Sequence, residues 1–244
     1  MPCYCTVVTG AASGIGYVVA ARLLSLGRSI VAVDLNEKGL KERFGDNDNV
    51  RYVACDLTSA ESLKVMAEEI KGHFDGVDGF VHAAGVDMVA PLGMISADSM
   101  QRLFAIHTVF PVQFLGWMSR KLNHGVDTSA VLISSLSTHE GAKGHVAYAA
   151  AKGGVEGFLK AAAAELITKG IRLNTVVLGV VDTEMSRKWI RKLSDAQQKE
   201  LERGYPLGLG RPEDVASVVE FLLSPSAKWI TGQMLVCDGG HMLV

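Results

Sequence analysis

Runs of apolar, often β-branched residues alternate along the chain with stretches of helical period. The runs fall near 4–9, 29–34, 50–55, 78–83, 129–134, 171–177 and 233–237. Short continuous runs of this kind read as strands buried on both faces. Their alternation with helices predicts an α/β protein, a doubly wound, seven-stranded parallel sheet with crossover helices on both faces. Helix starts are expected at Thr58-Ser59 ahead of Ala60-Glu61, and at Arg211 ahead of Pro212-Glu213-Asp214, where proline suits a first turn. No Pro/Ser linker, repeat or low-complexity tract breaks the pattern, so residues 1–244 read as one domain. The longest region without a strand, roughly 180–212, follows a strand whose carboxyl end should face the ligand. The alanine run Ala161–Ala164 lies inside a predicted helix and packs either within the chain or against another subunit.

Composition narrows the classes. The 24 basic and 26 acidic residues nearly cancel, which argues against nucleic acid or an anionic membrane as main partner. No apolar run approaches the length of a membrane span, and Met-Pro-Cys-Tyr enters the first strand with no room for a signal peptide. Cys3, Cys5, Cys55 and Cys237 form no C-x-x-C and read as buried thiols of a reducing compartment, with the cytoplasm as the default. No His/Cys/Asp cluster has metal spacing.

Two segments carry candidate chemistry. The strand Cys5-Thr-Val-Val-Thr9 runs into Gly10-Ala-Ala-Ser13-Gly14-Ile15-Gly16 and then into a helical pattern through Val18, Val19, Ala21, Leu23 and Leu24. Glycines allow a tight turn and close approach to a pyrophosphate, whose charge then meets free N–H groups at a helix start. The next strand ends in Asp34. An acid there accepts the ribose hydroxyls of NAD and repels the extra phosphate of NADP, and no Lys or Arg replaces Ser13 or follows Asp34 directly. Further on, Tyr148-Ala-Ala-Ala-Lys152 places a phenol and an ammonium on one helix face. A nearby cation lowers a tyrosine pKa from about 10, and a serine from Ser134-Ser135 could hold the substrate oxygen. That is acid–base equipment for interconverting a ketone and an alcohol.

Together these motifs resemble the short-chain dehydrogenase/reductase family in its compact branch, from about Thr6 to Gly240. Also matching are Cys55-Asp56-Leu57, His82-Ala-Ala84-Gly85, Asn174, Gly179-Val-Val181-Asp-Thr183 and the ending Thr231-Gly-Gln with Asp238-Gly-Gly. The resemblance implies a Rossmann-type fold, NAD as cofactor, a small-molecule substrate and a homotetramer. It implies that Ser135, thirteen residues before Tyr148, orients the substrate while Tyr148 transfers the proton and Lys152 supports it. Cofactor contacts are implied at Gly10, Ser13, Gly14, Ile15, Gly16, Asp34, Asp56, Leu57, Ala84, Gly85, Val181 and Thr183, besides Tyr148 and Lys152. Residues 183–210 are expected to form a mobile substrate lid. The ending resembles acyl-carrier-protein ketoreductases and sugar-alcohol dehydrogenases, and Asp34 favours the NAD-linked relatives.

The chain departs from the family at three places. His107 replaces an asparagine that holds a helix irregularity whose main-chain carbonyl leads by a water to the lysine. A backbone carbonyl survives substitution and a histidine can hydrogen-bond locally, so His107 is expected to preserve the relay. The alternative is an NAD(H)-binding regulatory or scaffold protein with weak or lost turnover; a sugar-nucleotide epimerase or dehydratase is weaker because the chain lacks their added domain. His82 replaces another asparagine and reads as a hydrogen-bonded strand-end residue. Leu178 replaces the first residue of a Pro-Gly pair. Substrate signals are sparse: Thr138–His145 and the basic residues Arg187, Lys188, Arg191 and Lys192 suit a hydroxylated or anionic molecule, although a basic run of this kind is more often a solvated helix face. Met88, Met94 and Trp189 are candidate apolar walls.

Overall fold

A computed structural model describes residues 3–244. Strands β1 (Tyr4–Thr9), β2 (Ile30–Asp34), β3 (Val50–Ala54), β4 (Gly76–His82), β5 (His124–Ser135), β6 (Ile171–Leu178) and β7 (Met234–Cys237) form one sheet. The order is β3-β2-β1-β4-β5-β6-β7 and every pairing is parallel. The doubly wound prediction therefore holds. After β3 the chain crosses back past β1 to lay down β4, which creates a switch point between β1 and β4. Crevices for ligands open outside the carboxyl ends of strands at such points.

Both faces of the sheet are covered because its strands are apolar on both sides. One layer packs α3 (Ser62–His73), α5 (Phe110–Met118) and α6 (Val146–Ile167) around Phe80, Phe114, Trp117 and Leu159. The other packs α1 (Gly14–Ser25) and α9 (Pro212–Leu223) around Val19, Leu23, Val215 and Leu222. Each such side chain contributes about 1.5–3 kcal/mol when removed from water. The remaining helices are α2 (Glu37–Phe44), α4 (Ala97–Phe104), α7 (Glu184–Ile190) and α8 (Asp195–Arg203).

Helices α4 and α5 are joined by a π-helical turn, Ala105–Val109. The Phe110 N–H reaches back five residues to Ala105 O, while the carbonyl that an α-helix would offer it, that of Ile106, is engaged by His82 Nε2 at 3.0 Å; Pro111, next in the chain, has no N–H to continue the ladder. Such widened turns are typical of functional sites.

Among the described residues, no helix is long and apolar enough to cross a membrane. The cysteine expectation needs correction: all four are free, but only Cys5 is buried, Cys55 and Cys237 are half-buried, and Cys3 is exposed.

Candidate active site

All the residues singled out for cofactor and catalysis line one cavity of about 740 Å³ at the carboxyl ends of the strands. At its nucleotide end, Gly10 turns the chain with a φ of +72°, and an added Cβ would lie 2.9 Å from the Ala84 backbone. Gly14 has a φ of +52°, and an added Cβ there would lie 3.6 Å from the Thr183 methyl group. Gly16 packs so tightly that a Cβ would sit 2.2 Å from the Gly10 carbonyl. Ser13 caps α1 without a side-chain hydrogen bond, so the first N–H groups of that helix, beside Ile15, remain available to an anion. One Asp34 oxygen accepts from Ala12 N at 3.0 Å and the other from Asn36 N at 3.0 Å, which fixes the acid against the loop. Asp56 accepts from the Thr58 N–H and hydroxyl, which hold its pKa low, and Leu57 follows it on the cavity wall. Ala84 and Gly85 line the opposite side, with Val181 and Thr183 beyond them. A glycine cradle, free helix N–H groups and an acid at the end of β2 fit a dinucleotide.

The catalytic half is built on β5 and α6. Ser135 ends β5, where its hydroxyl accepts from Ser137 N at 3.3 Å. Tyr148 and Lys152 lie one turn apart on the buried side of α6, and the lysine nitrogen is 5.8 Å from the tyrosine ring centre. The expected pKa logic reverses here. Burial pushes the Tyr148 hydroxyl above its ordinary value, Asp87 adds to this, and the Ser135 hydroxyl pulls the other way. Lys152 is only 4 % exposed and burial brings its pKa down to about 7, against an upward pull from Glu156. Its ammonium donates to Ile133 O at 2.8 Å.

Two histidines flank this pair. The His107 ring meets the Tyr148 ring edge-on, with centres 5.5 Å apart. His107 Nε2 lies 2.9 Å from Val86 O and 3.4 Å from Val86 N; the shorter contact, to an oxygen that can only accept, assigns the proton to Nε2 and leaves Nδ1, buried and without a protein partner, as an acceptor. Burial first and then Lys152 hold His107 neutral, well below the usual histidine range. His82 is hydrogen-bonded at both nitrogens, to the Thr9 hydroxyl at 2.9 Å and to Ile106 O in the π-turn at 3.0 Å. That is the strand-end role expected of it.

The residue that sequence reasoning missed beneath the site is Glu156, one further turn along the same helix face. One of its oxygens accepts from Ser134 at 2.6 Å and Thr138 at 2.8 Å, and the other lies 3.1 Å from His139 Nε2. The i, i+4, i+8 series Tyr148, Lys152, Glu156 was a readable signal. Asp87, also missed, lines the cavity with one buried oxygen lacking a protein partner; no spacing marks it.

The basic run does not supply a substrate cation. Arg187 is paired with Asp182 through two hydrogen bonds of 2.6 and 2.7 Å, and Lys188, Arg191 and Lys192 do not line the cavity. Trp189 does line it, whereas Met88 packs beside Leu103 and Ala147, and Met94 is exposed. Leu178 simply extends β6, paired with Cys237.

Fold and site together define a nicotinamide-dependent oxidoreductase of the doubly wound class. Comparison with known proteins agrees. A family model described as enoyl-(acyl carrier protein) reductase matches residues 10–242. A D-threitol dehydrogenase of Mycolicibacterium smegmatis is 33% identical over 241 residues, covering 97% of this chain and 92% of its own. A 3-oxoacyl-[acyl-carrier-protein] reductase of Vibrio cholerae is 32% identical over 246 residues, covering 97% and 96%. Among solved structures, a 4-hydroxyisoleucine dehydrogenase complexed with NADH matches with a TM-score of 0.90 at 24% identity, over 99% of both chains. A glucose/ribitol dehydrogenase from Brucella melitensis matches with a TM-score of 0.90 at 27% identity, over 99% of this chain and 97% of its own. The chain belongs to the short-chain dehydrogenase/reductase family.

Proposed function

We propose that the protein interconverts a secondary alcohol and a ketone with NAD(H), with Tyr148 as general acid and base. The observation that carries this reading is the meeting of Ser135, Tyr148 and Lys152 in the cavity whose far end holds the glycine turn and Asp34. The bound nicotinamide supplies or accepts the hydride. Ser135 holds the substrate oxygen, and Tyr148 gives that oxygen a proton in reduction and takes it in oxidation. Burial beside Asp87 keeps Tyr148 protonated, which suits the donor role toward a ketone. Lys152 supports the cofactor ribose and supplies positive charge when the tyrosine must lose its proton. Asp34 selects NAD over NADP by accepting the ribose hydroxyls.

His107 acts as a positioning residue in this reading, bonded to Val86 across from Tyr148 and keeping the π-turn and its carbonyls in place. The intact Ser135, Tyr148 and Lys152 favour catalysis over the regulatory alternative. Residues 183–210 act as a lid on a domain spanning 1–244. Val181 and Gly210 pair in a bridge, so the segment leaves and rejoins the body at one place, and Met185, Ser186 and Trp189 on it line the cavity. A cytoplasmic homotetramer completes the proposal, supported by four free thiols and by exposed Trp229, Met234 and Val236 near the edge strand β7.

The test is NADH oxidation across ketones, keto-sugars and acyl thioesters, with NADPH and Tyr148→Phe in parallel. Turnover that prefers NADH and drops about a hundred- to ten-thousandfold in the variant is expected. Equal turnover by Tyr148→Phe, with cofactor affinity unchanged, would overturn the assignment. Light scattering checks the tetramer.

A further inference from the structure

His241 joins segments that lie far apart in the chain. It opens the turn after β7, and Asp238 fixes that turn on both sides of it, accepting from Gly240 N and Met242 N, each at 2.9 Å. The ring Nδ1 lies 2.6 Å from the carbonyl of Gly204, which caps α8 at the far end of the lid. Nε2 lies 2.9 Å from Glu140 Oε2, on the loop that leads from Ser135 to Tyr148. One face of the ring stacks on Tyr205, with centres 4.4 Å apart and planes inclined by 15°. Glu140, Tyr205 and His241 all line the cavity that holds Tyr148. A carbonyl and a carboxylate oxygen only accept, so both ring nitrogens must donate, and only an imidazolium carries two N–H groups. The Gly204 carbonyl raises the His241 pKa above 6.5, burial opposes the rise, and Glu140 and Asp238 add to it. The third ionisable neighbour, Tyr205, is kept a neutral phenol by burial. A neutral His241 has one N–H. Whichever oxygen keeps it, the other meets a lone pair, and the link between the loop and the lid is broken.

We propose that His241 is a positioning residue for the substrate half of the site: as an imidazolium it ties the Ser135–Tyr148 loop to the far end of the lid, and loss of its proton separates them, so that substrate affinity falls as the pH rises. The tie is complete below pH 6.5 and is lost as the pH passes the higher folded value. The His241 and Glu140 side chains are 28 % and 42 % exposed, which keeps the effect to about three- to fivefold in affinity. This inference rests on the oxidoreductase reading and its lid, and adds a pH dependence of substrate binding to them.

The experiment compares wild type, His241→Ala and Glu140→Gln at about pH 6 and about pH 9. In Glu140→Gln the amide can donate to a neutral Nε2 while Nδ1–H keeps Gly204 O, so the tie no longer needs the extra proton. Ring NMR should place the wild-type His241 titration above 6.5, and lower in Glu140→Gln. Hydrogen exchange over residues 136–145 and 201–208 should be faster in His241→Ala than in wild type at the lower pH. At the higher pH it should be faster in wild type than in Glu140→Gln. For the panel ketone that wild type reduces fastest, KM should rise between the two pH values about three- to fivefold more in wild type than in Glu140→Gln. That difference belongs to KM rather than kcat, and the Kd for NADH should not show it. A wild-type ring titrating at or below 6.5, or exchange at the higher pH that Glu140→Gln does not slow, overturns the tie. The same rise in KM for both proteins overturns the substrate role. No turnover of any ketone with either cofactor overturns the oxidoreductase reading and the substrate role with it, while the ring and exchange results still decide the tie.

Discussion

His82 should make the protein lose stability on mild acidification, and the size of the loss follows from its surroundings. The ring is 1 % exposed. Its Nε2–H donates to Ile106 O, and its Nδ1 accepts from the Thr9 hydroxyl, which itself accepts from Ala84 N at 3.1 Å. A proton on Nδ1 would face the Thr9 hydroxyl hydrogen and displace it. Burial first, and then the Lys152 charge, bring the His82 pKa from 6.5 down to about 3. The folded value lies below the unfolded one, so between 6.5 and 3 the unfolded chain takes up a proton that the native protein refuses. The neutral-ring contribution is fully present above pH 6.5 and declines at about 1.4 kcal/mol per pH unit below it. From pH 7 to pH 5 the loss is about 2 kcal/mol. Carboxylates also titrate in that range, so the measurement is a difference: urea unfolding at both pH values for wild type and His82→Asn. The variant, less stable at pH 7 for want of a good fit, should lose about 2 kcal/mol less than wild type over the interval. A difference below about 0.5 kcal/mol would refute the reasoning. So would an imidazole NMR titration placing His82 near 6.5 in the folded protein, and that test does not depend on the variant.

Three further outcomes follow from the same geometry. Asp34→Asn keeps an acceptor for Ala12 N or Asn36 N but removes the charge; the NADH-over-NADPH preference in kcat/KM should fall about tenfold or more, equivalent to about 1.4 kcal/mol. Gly16→Ala drives a Cβ to 2.2 Å from a backbone carbonyl and should cost about 3 kcal/mol or more, read as a lowered urea midpoint together with weakened cofactor binding. Glu156→Gln preserves an oxygen for Ser134 and Thr138 but loses the charge facing Lys152 and His139. The Lys152 pKa should then fall below about 7, since Glu156 is what holds it up. Heteronuclear NMR of the lysine nitrogen reads the shift, and an unmoved titration contradicts it.

Much of this site was legible because it is written in backbone geometry and fixed spacings. A glycine at φ +72° against Ala84, an acid ending β2, and a serine, tyrosine and lysine at set separations leave few alternative residues that would work. Other features were hidden by residues whose local preferences point elsewhere. β5 begins at His124, five residues before the apolar run, because polar Thr128 and Ser129 are buried and satisfied by Val77 O and Leu222 O. α3 begins at Ser62, later than Ala60, because the Asp56 side chain captures the Thr58 N–H and the Ser59 side chain captures that of Glu61, holding the chain in a turn. The π-turn was hidden because the carbonyl it bypasses, Ile106 O, is engaged by His82 from a distant strand.

The pKa ordering was the least legible part, for a reason that reaches into function. Spacing places Lys152 beside Tyr148, and a lysine there lowers a tyrosine pKa only while it is charged and free to face the phenol. Burial opposes the charge, the Ile133 carbonyl holds the ammonium, and Asp87 raises the tyrosine. The two histidines add to this without adding charge: both are kept neutral, and both spend a nitrogen on main-chain carbonyls at the π-turn or facing it. Neither imidazole brings a charge to the surroundings of Tyr148 and Lys152, so neither offsets the burial that favours the protonated phenol and the uncharged amine.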